Sequence, residues 1–217
     1  MNQNDVTGKI LDRKLVAIIR APDGELLLDV ARALIAGGID VIEATFTIPH
    51  VLKTLEQMKS ALGDQILLGA GTVLDPETAR IAILAGAQYL VTPTVNVKVI
   101  ELCRRYSVPC LAGAFTPTEV LTAWEAGAEI VKIFPSDIGG PPYLKALKGP
   151  LPHIRMMPTG GVNLETLGDF MNAGACAVGL GSSLVEKEAL ARRDLKRIET
   201  LATAYVEKVQ ALSANKQ

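Results

Sequence analysis

The chain has 217 residues, of which 49% are hydrophobic and only 4% are aromatic, so its core must consist mainly of Ala, Val, Leu and Ile. Lys and Arg (22) nearly balance Asp and Glu (23), and no basic cluster contains interleaved aromatic residues, which argues against a nucleic-acid partner. There is neither a signal-peptide pattern nor an apolar run of about 18 residues, so we expect no membrane association. Three cysteines without CxxC spacing suit a reducing compartment, and the predicted location is cytoplasmic.

Short apolar runs alternate with segments of helical apolar spacing along the whole chain. A weak pattern over 2–13 predicts a short N-terminal helix. The apolar runs predict eight β-strands, at 15–19, 41–45, 66–70, 89–92, 110–114, 130–133, 154–158 and 176–180. Helices are predicted between them, near 23–36, 50–62, 75–85, 97–106, 118–126, 143–148 and 163–173, with a last helix from about 193 to the end.

A recurring small-residue motif marks four predicted helix ends: Ala36-Gly37-Gly38, Ala85-Gly86-Ala87, Ala126-Gly127-Ala128 and Ala173-Gly174-Ala175. Glycine just past a helix adopts the left-handed cap conformation without a Cβ clash. The regular series of strands and helices predicts an α/β fold, a single-domain (β/α)8 TIM barrel over 1–217 with an extra N-terminal helix. The alternative is a doubly wound sheet, which would need a glycine-rich turn after the first strand. Residues 20–24 do not form a dinucleotide-binding motif.

Two charged residues interrupt predicted strands that are otherwise apolar. Lys132 lies within 130–133 and Glu43 within 41–45. A buried ammonium costs several kcal/mol unless it is paired, and burial favours the neutral, nucleophilic amine that a Schiff-base enzyme needs. The two residues are therefore candidates for catalysis, and a purely structural Glu–Lys pair is the alternative.

Polar residues and glycines gather at the carboxyl ends of the strands, where barrels of this type place their chemistry. Two glycine-bearing turns, 158–163 and 179–183, follow the last two strands. Backbone N–H groups and helix N-termini in such turns bind anions, so the pattern predicts a phosphorylated ligand. The two histidines, His50 and His153, lack metal-ligand spacing to Cys, Asp or Glu, and we expect no metal.

From about residue 9 to 210 the chain resembles the 2-keto-3-deoxy-6-phosphogluconate (KDPG) and 4-hydroxy-2-oxoglutarate (KHG) aldolase family. The resemblance implies a class I, Schiff-base aldolase on a (β/α)8 barrel, a homotrimer without metal or organic cofactor. The segments that carry it are Ile42-Glu43-Ala44-Thr45, Gly69-Ala70-Gly71-Thr72-Val73, 113–118, Val131-Lys132-Ile133-Phe134-Pro135, 145–150, 158–162 and 179–184.

The resemblance also implies residue roles. Lys132 would form the Schiff base and Glu43 would act as the general acid/base. Substrate binding would fall to Arg20, Thr72, Pro93, Phe134 and Thr159, and phosphate binding to Gly160, Gly161 and Ser182.

Two positions depart from the family pattern. Many relatives have an arginine four residues after the glutamate to meet the substrate carboxylate, where this chain has Thr47, so the group that replaces the arginine is open. The fourth strand ends in Thr92-Pro93-Thr94, whereas relatives often have Ser-Pro-Gly or Ser-Pro-His.

The implied reaction is cleavage of KDPG to pyruvate and glyceraldehyde 3-phosphate, with 4-hydroxy-2-oxoglutarate as a further substrate. The galactonate epimer is an alternative substrate. A further alternative is a non-covalent sugar-phosphate isomerase or decarboxylase. Such an enzyme usually needs extra acidic residues at the strand ends, and this chain lacks them. A non-catalytic, assembly-forming barrel would not need Glu43, Lys132 and both glycine turns.

Overall fold

The structure is a computed structural model that describes residues 3–21 and 24–214. Its strands are β1 Leu15–Ile19, β2 Val41–Thr45, β3 Leu67–Gly71, β4 Tyr89–Val91, β5 Cys110–Ala114, β6 Ile130–Ile133, β7 Met156–Pro158 and β8 Val178–Leu180. Its α-helices are α1 Gln3–Arg13, α2 Gly24–Ala36, α3 Val51–Leu62, α4 Pro76–Leu84, α5 Val97–Arg105, α6 Pro117–Ala126, α7 Gly140–Lys148, α8 Leu167–Asn172, α9 Lys187–Ala191 and α10 Leu195–Ala214. A 3₁₀ turn, Gly63–Gln65, follows α3.

The strands form one parallel sheet in the order β7-β6-β5-β4-β3-β2-β1-β8. A parallel bridge between Thr159 and Gly179 joins the two ends of this order, just beyond β7 and before the end of β8. The sheet therefore closes into the predicted (β/α)8 barrel. The extra N-terminal helix is confirmed, because Val6 and Ile10 of α1 pack against the apolar residues inside the barrel.

Local sequence explains where the helices begin and end. Thr116 and Glu119 form a capping box at the start of α6, where Pro117 occupies the first turn. The glycines of the four recurring motifs have positive φ as predicted, with values of 92° to 101° at Gly38, Gly86, Gly127 and Gly174. An L-amino acid with a side chain would be strained at these helix ends.

Several predicted boundaries are wrong by a few residues. β7 and β8 each begin two residues later than predicted, and β3 is shifted by one. The helix predicted at 163–173 is only Leu167–Asn172, because the Asn163 side-chain oxygen accepts hydrogen bonds from the backbone of Glu165 and Thr166 and holds a turn.

The C-terminal prediction also changes. The short helix α9 was not predicted, and α10 starts at Leu195. The predicted helical residues 2, 23 and 215–217 lie outside the described residues. No helix in the described part of the chain is both long and apolar enough to cross a membrane.

Candidate active site

The interior of the barrel shows which strand residues point inward. A core cluster separate from the main one contains Val41 and Ile130 together with residues of α1. Glu43 and Lys132 each follow one of these by two residues and therefore lie on the same inner face of their strands. Both are buried, with 1% and 5% of their surface exposed. The two charged residues thus lie inside the barrel, one layer nearer the carboxyl ends of the strands.

Glycines on β3 make room for the larger groups from neighbouring strands. A Cβ atom at Gly71 would collide with the carboxyl group of Glu43, and one at Gly69 would collide with the ring of Tyr89. Both glycines thus leave space on the inner face of β3. Because no side chain fits there, the Glu43 carboxyl group can extend toward the open end of the barrel.

Glu43 and Lys132 do not form an ion pair, since no nitrogen–oxygen distance of 4.0 Å or less joins these two described residues. Glu43 Oε2 is buried without a hydrogen-bond partner in the described part of the chain. Burial raises the pKa of the Glu43 carboxyl group above its usual range, against the opposing positive charges of Lys132 and Arg20. The structural-pair alternative would require direct contact, which the geometry lacks.

Lys132 lies beside an open cavity. Its Nζ is 5.1 Å from the centroid of the Phe134 ring, and that ring lines a cavity of about 450 Å³. Of the predicted site residues, six line this cavity: Arg20, Phe134, Thr159, Gly160, Gly161 and Ser182. The cavity therefore joins the predicted phosphate turns to Phe134, whose ring lies next to Lys132, while Lys132 itself is not one of its lining residues.

The two glycine turns are tied to each other and to the end of β6. Ser183 donates a hydrogen bond to the carbonyl of Val162 at 2.7 Å, which links the turn after β8 to the turn after β7. Ser136 Oγ donates to the Ile133 carbonyl at 2.7 Å and accepts from the Thr159 backbone at 3.2 Å. These contacts fix the turns relative to the strand that carries Lys132.

The glycines of these turns have different requirements. Gly160 and Gly161 have φ values of 92° and 70°, and a Cβ at Gly161 would lie 2.9 Å from the Cα of Asp137. Gly181 also lines the cavity, and a Cβ atom added there would meet no other atom within 4 Å. Gly161 is thus required by the backbone itself, whereas the space beside Gly181 is open to a ligand.

Thr159 has an unpartnered hydroxyl inside the barrel. Its Oγ1 is buried with no hydrogen-bond partner among the described residues, and it occupies the space where a Cβ of residue 179 would lie. Gly179 is therefore the residue that lets this hydroxyl point inward next to the cavity. A substrate oxygen or nitrogen would satisfy it.

Thr72 and Pro93 follow β3 and β4, outside the set of residues that line the cavity. Thr72 has a φ of 59°, a left-handed conformation that is costly for a β-branched residue and is found mainly at functional sites. The backbone of Pro93 lies against Gly113, which pairs in register with Lys132. Pro93 therefore lies against the strand that neighbours Lys132, whereas Thr72 stands out by its backbone conformation alone.

The position that relatives fill with arginine has a local partner here. The hydroxyls of Thr47 and Thr45 are 2.7 Å apart, so the Thr47 side chain is hydrogen-bonded to the end of β2. Arg20, exposed at the end of β1, lines the cavity and acts electrostatically on Glu43. The guanidinium group near the site thus comes from β1.

Sequence reasoning assigned no role to Gly69, Tyr89 and Lys187. Lys187, at the start of α9, lines the cavity, and Tyr89 lies inside the barrel. The alternating glycines at 69 and 71 were the available signal, because glycines two apart in a strand leave space on one face. Within 3–21 and 24–214, no group of three His, Cys, Asp or Glu side chains is arranged as metal ligands.

Known proteins that are similar to this chain include aldolases. The chain is 38% identical to the 2-dehydro-3-deoxy-6-phosphogalactonate aldolase of Escherichia coli K12 over 197 residues, which cover 90% of this chain and 96% of that protein. A solved KDPG aldolase from Legionella pneumophila, with pyruvate captured as a covalent carbinolamine intermediate, superposes with a TM-score of 0.86 at 29% identity. That superposition covers 94% of this chain and 98% of the Legionella chain.

A second solved structure is a cube-shaped protein cage designed by fusing symmetric oligomeric domains. It superposes with a TM-score of 0.86 at 35% identity and covers 93% of this chain and 74% of the cage chain. The family model described as KDPG and KHG aldolase matches residues 6–201. The buried lysine and glutamate, the two glycine turns and these similarities agree, and the chain belongs to the KDPG and KHG aldolase family of carbon–carbon lyases.

Proposed function

We propose that the protein is a Schiff-base aldolase that cleaves KDPG to pyruvate and glyceraldehyde 3-phosphate. The observation that carries the proposal is the placement of Glu43 and Lys132, which are both buried on the inner face of the barrel and are not paired with each other. Two ionisable groups that are buried without contact with each other are costly for the fold. A substrate bound between them gives both groups a role.

In the proposed reaction the neutral Lys132 amine attacks the C2 carbonyl carbon of the keto acid, and loss of water yields a protonated imine. Ionised Glu43 takes the proton of the C4 hydroxyl. The C3–C4 bond then breaks, its electron pair moves into the imine to form an enamine, and the aldehyde leaves. Protonation at C3 and hydrolysis of the imine release pyruvate and regenerate the amine.

The glycine turns would bind the phosphate. Gly160, Gly161 and Ser182 line the same cavity as Arg20. Anion binding by backbone amides needs no basic side chain, and Arg20 adds a positive charge for the carboxylate or the phosphate. Thr72, Pro93, Phe134 and Thr159 would complete the substrate contacts.

The C4 epimer is a second candidate substrate, because the E. coli relative at 38% identity is a phosphogalactonate aldolase. The unphosphorylated 4-hydroxy-2-oxoglutarate is a third, given the family description. Comparing kcat/KM for the three acids under one set of conditions ranks them. A preference for the galactonate would replace the gluconate assignment while leaving the Schiff-base chemistry intact.

Trapping with borohydride tests the mechanism directly. Incubation with pyruvate and borohydride should add a reduced pyruvyl group to Lys132, which peptide mass mapping locates. Lys132→Ala should lose both the adduct and the lyase activity, whereas Lys53→Ala, at an exposed position on α3, should retain both. An adduct on another lysine, or full activity in Lys132→Ala, would reject the proposal.

We propose further that each copy is one barrel domain and that three copies associate. Large apolar side chains are exposed near α4 and α5, with exposures of 56% at Leu74, 67% at Leu84 and 38% at Val97. Exposed apolar side chains of this size are common at interfaces between copies. The similarity to a cage built from symmetric oligomeric domains supports this. Light scattering coupled to size-exclusion chromatography should give about three times the monomer mass, and Leu84→Glu should reduce it.

A further inference from the structure

Tyr89 carries a buried hydroxyl that the proposed reaction does not use. The residue has no exposed surface, and its hydroxyl has no hydrogen-bond partner in the described part of the chain. Buried polar groups are nearly always hydrogen-bonded, and an unpaired one is destabilising. A phenylalanine would fill the same space without this cost. The hydroxyl is therefore expected to have a function other than packing.

The geometry of β3 brings the ring of Tyr89 close to Glu43. Tyr89 on β4 and Glu43 on β2 both pair in register with Gly69, which lies between them on β3. The phenol end of the ring, with Cζ nearest, fills the space where a Cβ of residue 69 would lie. The Glu43 carboxyl group fills the corresponding space at Gly71, two residues further along the same inner face. The phenol end of the Tyr89 ring and the Glu43 carboxyl group thus occupy neighbouring glycine gaps.

Glu43 and Tyr89 each have a buried polar atom that lacks a hydrogen-bond partner. Glu43 Oε2 and the Tyr89 hydroxyl are each buried and unpaired among the residues that the structure describes. The pKa of Tyr89 is raised well above its usual value. Burial is the larger cause and the negative charge of Glu43 the smaller one, so the two groups interact electrostatically. The charged groups that act on Glu43 are Lys132 from β6 and Arg20 after β1. Tyr89 is neutral and can donate a hydrogen bond without competing for the Schiff base.

We propose that Tyr89 is a positioning residue for Glu43, and that its hydroxyl donates a hydrogen bond to one buried water, which in turn donates one to Oε2 of the ionised carboxylate. The bond leaves the other oxygen, Oε1, to accept the substrate proton. It also stabilises the charged form of a carboxyl group that burial would otherwise keep protonated. This inference rests on the proposed role of Glu43 as general acid/base.

The test is Tyr89→Phe, which removes the hydroxyl and keeps the ring. Loss of one hydrogen bond to a charged group should move the acidic limb of the kcat/KM profile upward by roughly 1 pH unit. At a fixed pH on this acidic limb kcat should fall by about tenfold, because a smaller fraction of Glu43 is ionised, while KM stays within about twofold because substrate binding is unchanged. Tyr106→Phe, at an exposed position after α5, should leave both quantities unchanged.

A second measurement does not depend on turnover. In protein labelled with ¹³C at glutamate carboxyl groups, the resonance missing in Glu43→Gln identifies Glu43, and its titration should move to higher pH in Tyr89→Phe. Thr7→Val removes another buried, unpartnered hydroxyl, on α1, and should not move it. Wild-type protein without lyase activity would remove the proposed function, yet this titration would still decide the contact between Tyr89 and Glu43.

Two results would overturn the inference. One is a Tyr89→Phe variant with an altered Tm but an unchanged Glu43 titration, because the hydroxyl would then serve packing alone. The other is an equal shift in Thr7→Val, because the hydrogen-bond network would then run through α1 and not from Tyr89 to Glu43.

Discussion

Replacing Glu43 by glutamine should change activity and stability in opposite directions. Glutamine keeps the shape of the side chain but cannot accept a proton, so turnover should fall by roughly 10² to 10⁴ if Glu43 is the general base. Imine formation with pyruvate depends on Lys132 and should be damaged less. Steady-state cleavage and borohydride trapping, measured on the same variant, separate these two effects.

The stability effect follows from burial. The pKa of Glu43 is raised in the folded protein because the carboxyl group is desolvated. A carboxyl group with a raised folded pKa contributes its full stability below the unfolded pKa and loses it as the pH rises through the folded pKa. At neutral pH the wild-type protein therefore bears the cost of a buried charge, and Glu43→Gln should be more stable.

The gain is about 1.4 kcal/mol for each unit by which burial raises the pKa of Glu43, because the substitution removes the buried charge and leaves a polar group in the same place. For a chain of this length, about 2 to 4 °C in Tm corresponds to each kcal/mol. Tm should be measured for both proteins from acid to mildly alkaline pH. The two curves of Tm against pH should converge at the acid end and separate as the pH rises. Glu207→Gln, the same chemical change at an exposed position on α10, should show no such separation.

Two outcomes would refute this reasoning. Unaltered turnover in Glu43→Gln would remove the residue from the chemistry. A loss of stability that grows as the pH rises would mean that Glu43 holds the fold through its charge, as in a structural ion pair.

Three further predictions concern the cavity, the glycine gaps and metal removal. Gly181→Val adds a side chain to open space in the cavity. It should lower kcat/KM for KDPG by at least about tenfold and change kcat/KM for 4-hydroxy-2-oxoglutarate little. Equal losses on the two substrates would argue against phosphate binding there. Gly71→Ala should lower activity strongly, because the added Cβ would displace the Glu43 carboxyl group. Gly8→Ala on α1, where the added Cβ meets no atom, should leave activity unchanged. Normal activity of Gly71→Ala would contradict the placement of Glu43. Prolonged dialysis against EDTA should leave cleavage unchanged, since every proposed step uses side chains and backbone groups of the chain; a loss restored by added metal would overturn the metal-free mechanism.

The sequence predicts the barrel well because its signals are local. Apolar runs of strand length, helical spacing between them and glycines at helix ends are each determined within a few residues. The glycine caps at Gly38, Gly86, Gly127 and Gly174 are confirmed for this reason. The start of α8 is less accurate, because the side chain of Asn163 forms a turn with the backbone of Glu165 and Thr166 that competes with helix.

The tertiary structure was needed for the arrangement inside the barrel. β1 and β2 are buried on both faces, so the pattern of apolar residues does not distinguish the inner face from the outer one. Only closure of the sheet through Thr159 and Gly179 puts Glu43 and Lys132 in the same interior. The unusual charges in the strands were visible in the sequence. Their separation, the glycine gaps on β3 and the approach of Tyr89 to Glu43 depend on contacts between residues that are distant along the chain, and the packing of the whole barrel decides them.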